Sequence, residues 1–169
     1  MRRNLLISLV LLVIVIFMLR MQSSLLITPS TRYGLIHLEF TTDVSKLQWL
    51  QLIWSREEVG KQILLHLVFV FSFAWFLISL LGYFQSRTNW KKLTDLFRTM
   101  IASAALFATV QGMLLYLIFV GKLTPSLLVL SFILTLIKYL LGAAVMIFLV
   151  VSWPFVLRYR RKKTIKSKP

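Results

Sequence analysis

Residues 126–157 read SLLVLSFILTLIKYLLGAAVMIFLVVSWPFVL, and this apolar stretch with a single charge, Lys138, decides the fold. Three further apolar stretches lie at about residues 5–27, 62–84 and 99–121. Each is long enough for a helix that crosses about 30 Å of hydrocarbon, which takes about 20 residues. The stretches are continuous, whereas a membrane β-barrel needs alternating strands of about ten residues. We therefore predict an all-α membrane protein with one domain, residues 1–169, and four transmembrane helices.

The positive charge of the chain lies in alternate gaps between the apolar stretches. Thirteen lysines and arginines, with one acid, Asp95, precede the first stretch, separate the second from the third and follow the fourth. These basic residues are Arg2, Arg3, Arg87, Lys91, Lys92, Arg98, Arg158, Arg160, Arg161, Lys162, Lys163, Lys166 and Lys168. Because positive charge resists translocation, both termini and the middle loop are predicted to be cytoplasmic. The basic tail, residues 158–169, is expected to contact anionic lipids rather than nucleic acid, since its only aromatic residue is Tyr159.

The first stretch is interpreted as an uncleaved membrane anchor. It has a basic start and an apolar core, but no A-x-A-like cleavage site follows Arg20.

The loop between the first two spans, residues 28–61, is predicted to hold a strand. Thr28-Pro29-Ser30 ends the first helix, because proline lacks an amide hydrogen. Apolar residues then alternate with polar ones at the period of a half-buried strand. The apolar set is Ile36, Leu38 and Phe40, and the polar set is His37, Glu39 and Thr41. This strand, from Gly34 to Thr41, either lies on the outer mouth of the bundle or pairs with a partner protein.

A short interfacial helix is predicted to follow the strand, with Asp43 as its N-cap. Four apolar residues recur at helical spacing: Val44, Leu47, Leu50 and Trp54. Trp49, Leu52 and Ile53 widen that apolar face. Tryptophan favours the headgroup region, so lipid contact explains this face, although the same residues would suit a docking surface. The loop residues expected to face a partner are Ile36, Leu38, Glu39, Phe40, Trp49 and Trp54.

The loop resembles that of small four-helix bacterial integral membrane proteins of uncharacterised function. The resemblance covers residues 28 to about 85 and rests on a Thr-Pro break, a Gly-Leu…Glu-Phe segment and a helix that ends in tryptophan before a glycine. The matching residues are Thr28-Pro29, Gly34-Leu35, Glu39-Phe40, Leu50 or Ile53 with Trp54, and Gly60. It implies a protein of the bacterial inner membrane with a structured outer loop, and it transfers no activity.

Lys138 and Gln111 are the deepest polar residues of the predicted spans. Lys138 comes twelve residues after Ser126, about 18 Å along its helix, and Gln111 lies at similar depth. Lys138 either points into the bundle and bonds Gln111, or extends its aliphatic stem toward a headgroup. No Asp or Glu lies within a span, so Lys138 is expected to find its anionic mate in a partner subunit, a lipid or a ligand. The small residues Ala104, Ala108 and Gly112 predict close helix packing beside Gln111.

Two further ionisable residues, Arg20 and His66, are predicted to lie near the outer interface. An extended side chain explains Arg20 there, and a simple hydrogen bond explains His66. The chain has two histidines and no cysteine, so neither a metal site nor a cofactor is expected.

The sequence thus favours an accessory or scaffolding subunit of a bacterial inner-membrane complex, without catalysis of its own. One alternative is a small-molecule or lipid carrier with a polar site at Lys138 and Gln111. Another is a lipid-active enzyme at the outer mouth that uses His37, Glu39 and Arg20. A tightly packed bundle core would exclude the carrier, whereas pairing of the predicted strand with another chain would favour the subunit.

Overall fold

The computed structural model describes residues 2–23, 26–28, 31–88 and 90–166, and this part of the chain is helical apart from its connections. The helices are α1 (Arg2–Ser23), α2 (Leu35–Glu39), α3 (Val44–Ile53), α4 (Arg56–Gln85), α5 (Lys91–Phe119) and α6 (Leu128–Lys166), with a 3₁₀ turn at Pro125–Leu127 before α6. Among the described residues, four helices are long and apolar enough to cross a membrane: α1, α4, α5 and α6. The prediction of four such helices is confirmed.

Helices α4 and α5 begin six or more residues before the apolar stretches from which they were predicted. Ser55 accepts a hydrogen bond from the backbone N–H of Glu58, and the Glu58 carboxylate accepts one from the backbone N–H of Ser55. This capping box satisfies two backbone donors and starts α4 at Arg56, six residues before the predicted span. Helix α5 starts at Lys91, and its first two turns carry polar residues that the apolar stretch does not include. Within these turns the Arg98 guanidinium donates a 2.9 Å hydrogen bond to the Asp95 carboxylate.

The four long helices pack mainly against their neighbours in the chain. Helix α1 packs on α4, α4 packs on α5, and α5 packs on α6. In the most apolar 18 residues of α5, 39% of the residues are buried by the rest of the protein, against 17–22% in the other three helices. Helix α5 is therefore the central helix. Helices α4 and α6 each pack mainly against α5 and make few contacts with each other. A space is therefore left between α4 and α6.

The predicted strand is wrong, because residues 35–39 form a short helix. Gly34 has a positive φ of 51°, a conformation that glycine tolerates, and it turns the chain into this helix. Leu35, Leu38 and Glu39 are buried at the i, i+3, i+4 spacing of one helical face. Ile36 and Phe40 are exposed while Leu38 is fully buried, so the alternating apolar residues do not share a face.

Residues 31–54, here called the capping segment, pack onto the end of the bundle where α1 ends and α4 begins. We call this end the loop end. Helix α2 contacts both α4 and α6, and thus bridges the space between them. The capping segment and the loop end share one apolar core, which contains Leu26, Leu35, Leu38, Leu47, Leu50, Trp54, Val59, Ile63, Leu115, Ile118, Phe119 and Leu128. The segment is therefore part of the folded bundle rather than a loose connection.

Helix α3 forms where it was predicted, with the Asp43 carboxylate accepting a 2.9 Å hydrogen bond from the backbone N–H of Ser45. Its inner face, with Leu47, Leu50 and the adjacent Trp54, belongs to the apolar core and not to the lipid interface. The side-chain amide of Gln51 donates a 2.7 Å hydrogen bond to the carbonyl of Phe119, one of the unsatisfied carbonyls at the end of α5. Pro29 and Ser30 of the predicted break, and the side chains of the basic tail, lie outside the described residues.

Candidate functional site

Five polar side chains meet inside the bundle below the capping segment. The Lys138 ammonium donates 2.8 Å hydrogen bonds to Glu39 Oε1 and to Gln111 Oε1. The hydroxyl of Tyr139 lies 3.2 Å from Glu39 Oε2, to which it donates. His66 Nε2 lies 3.4 Å from Glu39 Oε1. We call these residues, Glu39, His66, Gln111, Lys138 and Tyr139, the polar cluster.

Four elements bring the polar cluster to one level of the bundle. His66 is ten residues into α4, Lys138 is ten residues into α6, and Gln111 is eight residues from the end of α5. At 1.5 Å per residue, these positions are about 12–15 Å from the loop end of their helices. Glu39 lies at the same level because α2 packs between α4 and α6, and the Glu39 side chain bonds to Lys138. Thr135 helps to hold it, since its hydroxyl lies 3.4 Å from the Glu39 carbonyl and 3.0 Å from that of Ser131.

Glu39 is the anionic mate of Lys138, so the expectation that this chain lacks one is wrong. Both side chains are almost fully buried, at 2% and 7% exposure. Glu39 lies outside the apolar stretches, in the loop between the first two spans, so hydropathy gives no sign that it is buried. A buried carboxylate and a buried ammonium each lose their hydration, and a direct hydrogen bond between them offsets part of that cost. The pair is therefore an internal ion pair and does not depend on a partner subunit.

The other polar residues singled out in the sequence divide between the cluster and the surface. The hydrogen bond expected between Lys138 and Gln111 is present, and Lys138 does not extend toward a headgroup. His66 belongs to the polar cluster, beside Glu39. Arg20 lies in the last turn of α1 with an exposed side chain.

The loop residues expected to face a partner also divide by burial. Ile36, Phe40 and Trp49 are between 40% and 49% exposed and remain accessible. Leu38, Glu39 and Trp54 are buried within the bundle, so a partner cannot reach them in this structure.

A cavity of about 420 Å³ extends from the polar cluster away from the capping segment. Its wall is formed by α4 from His66 to Leu77, by α5 from Ile101 to Ala108 and by α6 from Lys138 to Met146. His66, Lys138 and Tyr139 stand at one end, and the other lining residues are apolar. The cavity is partly open, and its volume falls in the range of about 300–1,000 Å³ typical of small-molecule sites.

Small residues on two helices create this space. Ala104, Ala105 and Ala108 line the α5 wall, and Gly142 lines the α6 wall. A Cβ placed at Gly142 would have no described heavy atom within 4 Å. One turn beyond Ala108, the predicted close packing does occur, because a Cβ at Gly112 would lie 3.4–3.5 Å from Ile63 and Leu67 of α4. The same row of small residues thus allows close packing at one end and leaves a cavity at the other.

Two side-chain nitrogens of the polar cluster have unused hydrogen-bonding capacity. Within the described residues, His66 Nε2 and Gln111 Nε2 are buried and make no hydrogen bond. Although His66 Nε2 is 3.4 Å from Glu39 Oε1, its geometry does not make a hydrogen bond. Buried polar atoms are rarely left without a partner, and of these two residues His66 lines the cavity.

His37 and Glu39, which the sequence suggested for a lipid-active enzyme at the outer mouth, face different surroundings. His37 stacks on Tyr33, with ring centroids 5.6 Å apart, whereas Glu39 two residues later faces the polar cluster. Residues two apart in a helix point in different directions, so His37 and Glu39 do not share a site. No group of three His, Cys, Asp or Glu in the part of the chain that the structure describes is placed to hold a metal ion.

The four long apolar helices and the polar cluster between them, with its buried Glu39–Lys138 pair, are the features of a multi-pass helical membrane protein. Comparison of the chain with protein-family models, with curated proteins and with solved structures gave no match.

Proposed function

We propose that this protein binds a lipid-soluble, amphipathic small molecule in the cavity between α4, α5 and α6. The observation that carries the proposal is the cavity itself, which is apolar along most of its length and polar at one end. An apolar chain would lie along the alanines of α5 and Gly142. A polar head would lie against His66, Lys138 and Tyr139. This is the carrier-like alternative among the functions considered from the sequence, with a site larger than Lys138 and Gln111 alone.

The arrangement of the helices supports access from the lipid. Helices α4 and α6 make their main contacts with α5, and the cavity between them is partly open. At the loop end, α2 bridges the two helices, and the Glu39–Lys138 ion pair holds it there. Entry from the membrane, between α4 and α6, is therefore the route that we propose.

The test is to fill the cavity without altering its polar end. Gly142→Leu places a side chain into open space on the cavity wall. Leu140→Phe, at a position 70% exposed on the same helix, is the matched control. Both variants are purified in mild detergent, and bound lipids are identified by mass spectrometry. We expect a small molecule in the wild type and in Leu140→Phe that is lost from Gly142→Leu. An equal set of bound molecules in all three proteins would contradict the proposal.

A role as a subunit of a larger membrane assembly is a second candidate. Two of the reasons for it no longer hold, because residues 35–39 form a helix rather than an unpaired strand and because Lys138 is paired with Glu39. The observation that favours it is the exposed apolar face of α3, where Leu52 is 86% exposed and Trp49 and Ile53 are each 40% exposed. Leu52→Ser should then release a protein that co-purifies with the wild type, while Gln48→Ser should not. Recovery of the wild type as a monodisperse monomer would count against this candidate.

We also propose that the protein lies in a bacterial inner membrane with both termini cytoplasmic. The charge pattern of the sequence supports this orientation, which would place the loop end and the capping segment on the outer side. Reporter fusions at residue 88 and at the C-terminus would both be active in the cytoplasm. A fusion within residues 41–43 would be active on the other side.

A further inference from the structure

We infer that the cavity takes an uncharged lipid, one whose head carries a hydrogen-bonding hydroxyl or carbonyl oxygen. This inference rests on the proposed function and adds the chemical class of the ligand. It is carried by the balance of charge in the polar cluster and by the hydrogen-bonding groups of the three residues at the polar end of the cavity, His66, Lys138 and Tyr139.

The charges of the cluster are already matched within the chain. Lys138 supplies one positive charge, and Glu39 supplies one negative charge 2.8 Å away. A phosphate or sulfate head beside Lys138 would add negative charge that no further cation of the cluster offsets while His66 is neutral. A cationic head would compete with Lys138 for the single carboxylate. Burying a charge without a partner costs free energy. A ligand with a positively or a negatively charged head should therefore bind less well than a ligand with a neutral head.

The hydrogen-bonding atoms suit a neutral oxygen. His66 Nε2 is buried without a hydrogen bond and belongs to a residue that lines the cavity. The Lys138 ammonium has three N–H donors, and two of them are used by Glu39 and Gln111. The hydroxyl of Tyr139 donates to Glu39, which leaves its oxygen free to accept. A hydroxyl or carbonyl can bond to these groups without changing their charge.

The experiment compares two photoreactive lipids that differ only in their heads. A diacylglycerol and a phosphatidic acid carry the same diazirine-labelled chains and are added to purified protein in phosphatidylcholine vesicles. Mass spectrometry then maps the labelled residues. We expect diacylglycerol to label residues 101–108 and 138–146 about tenfold more than phosphatidic acid does. Labelling of the basic tail is counted separately, since anionic lipid collects there whatever the cavity binds.

If the matched charges of Glu39 and Lys138 cause the preference for diacylglycerol, variants that change those charges should reverse this preference. Glu39→Gln leaves Lys138 unmatched, so phosphatidic acid should gain labelling of the cavity relative to diacylglycerol. Glu39→Gln combined with Lys138→Met restores neutrality and should restore the preference for diacylglycerol. The wild-type comparison does not depend on how well these variants fold. Competition by an unlabelled long-chain alcohol and by an isoprenoid quinone then separates a hydroxyl head from a carbonyl head.

The outcomes separate this inference from the proposed function. Equal labelling of the wild-type cavity by both lipids, abolished by Gly142→Leu, would overturn the inference and leave the proposed function standing. Preferential labelling by phosphatidic acid would overturn the inference in the same way. Labelling at the cavity by neither lipid, or labelling unaffected by Gly142→Leu, would overturn both.

Discussion

Glu39 of the capping segment and Lys138 of α6 are joined by a 2.8 Å hydrogen bond between residues 99 positions apart in the chain. The bond ties a helix of five residues to the longest helix of the bundle. It closes the loop end above the cavity and supplies both charges of the polar cluster. Because the pair holds the segment and shapes the site at once, its removal should affect stability and binding together.

We expect Glu39→Gln and Lys138→Met each to lower the free energy of unfolding by about 3–5 kcal/mol, because each leaves one buried charge without its mate. The double variant should lose less than the sum of the two single losses, since it leaves neither charge behind. Unfolding in mixed detergent–SDS micelles measures these differences. The control is the exposed pair Glu57–Lys61, where the same double change should have no measurable effect. Strictly additive losses at Glu39 and Lys138 would show that the two do not interact.

Glycine substitutions should distinguish the open wall of the cavity from the packed part of the bundle. Gly142→Ala should raise the free energy of unfolding by about 0.5–1 kcal/mol, because alanine is the better helix former and its Cβ meets open space. Gly60→Ala should bring no such gain, since its Cβ would lie 3.0 Å from the ring of Tyr116. The same SDS titration compares the two variants. Equal gains would show that the Tyr116 ring moves aside freely.

Gln51 should be needed to hold the capping segment on α5. Its amide donates to the carbonyl of Phe119, and Gln51→Glu would replace that donor by a carboxylate beside a negative helix end. We expect a loss of about 1–2 kcal/mol in the local stability of α3, seen as faster amide hydrogen exchange in residues 44–53. Gln48→Glu, at an exposed position of the same helix, is the control. Equal exchange in the two variants would argue against a holding role for Gln51.

The N-terminus of α3 should lose its cap in acid. Hydrogen bonds from the Ser45 side chain and backbone hold the pKa of Asp43 below its ordinary value of 3.8. A lowered folded-state pKa means that the cap contributes fully above pH 3.8, and that its contribution is lost as the pH falls through the folded-state pKa. Carbon-detected NMR of labelled aspartate would measure this titration. Ser45→Ala should return the pKa of Asp43 toward 3.8.

Asp43→Asn is the matched control for the acid effect, because asparagine caps the helix without titrating. In Asp43→Asn, acid should not cause the extra loss of amide protection in α3 that we expect in the wild type. A wild type whose α3 exchange is equally insensitive would contradict a role for the carboxylate.

The long helices were predictable because a span of apolar residues needs no tertiary information. Hydropathy alone located α1, α4, α5 and α6, but it missed their polar ends. The first turns of α4 are set by the capping box of Ser55 and Glu58, which lies outside the apolar run. Helix α3 was predictable from Asp43 and from the spacing of Leu47 and Leu50.

The site was predictable only in part, because its central residue comes from a loop. Lys138 and Gln111 were found by their depth in apolar stretches. Glu39 was not, since the alternation around it indicated a strand, and five residues are too few for a helical period to stand out. Burial in the apolar core overrode that local preference. A row of alanines on α5 facing Gly142 on α6 was the one sign of the cavity in the sequence.

The distance along the chain between Glu39 and Lys138 also orders the assembly of the protein. Glu39 is synthesised long before Lys138, so no mate exists for its carboxylate while α4 and α5 are being inserted into the membrane. Burial of the carboxylate without a mate is strongly unfavourable, so we expect the capping segment to dock stably only after α6 is in place. A chain that ends before α6 should therefore leave the apolar face of that segment exposed.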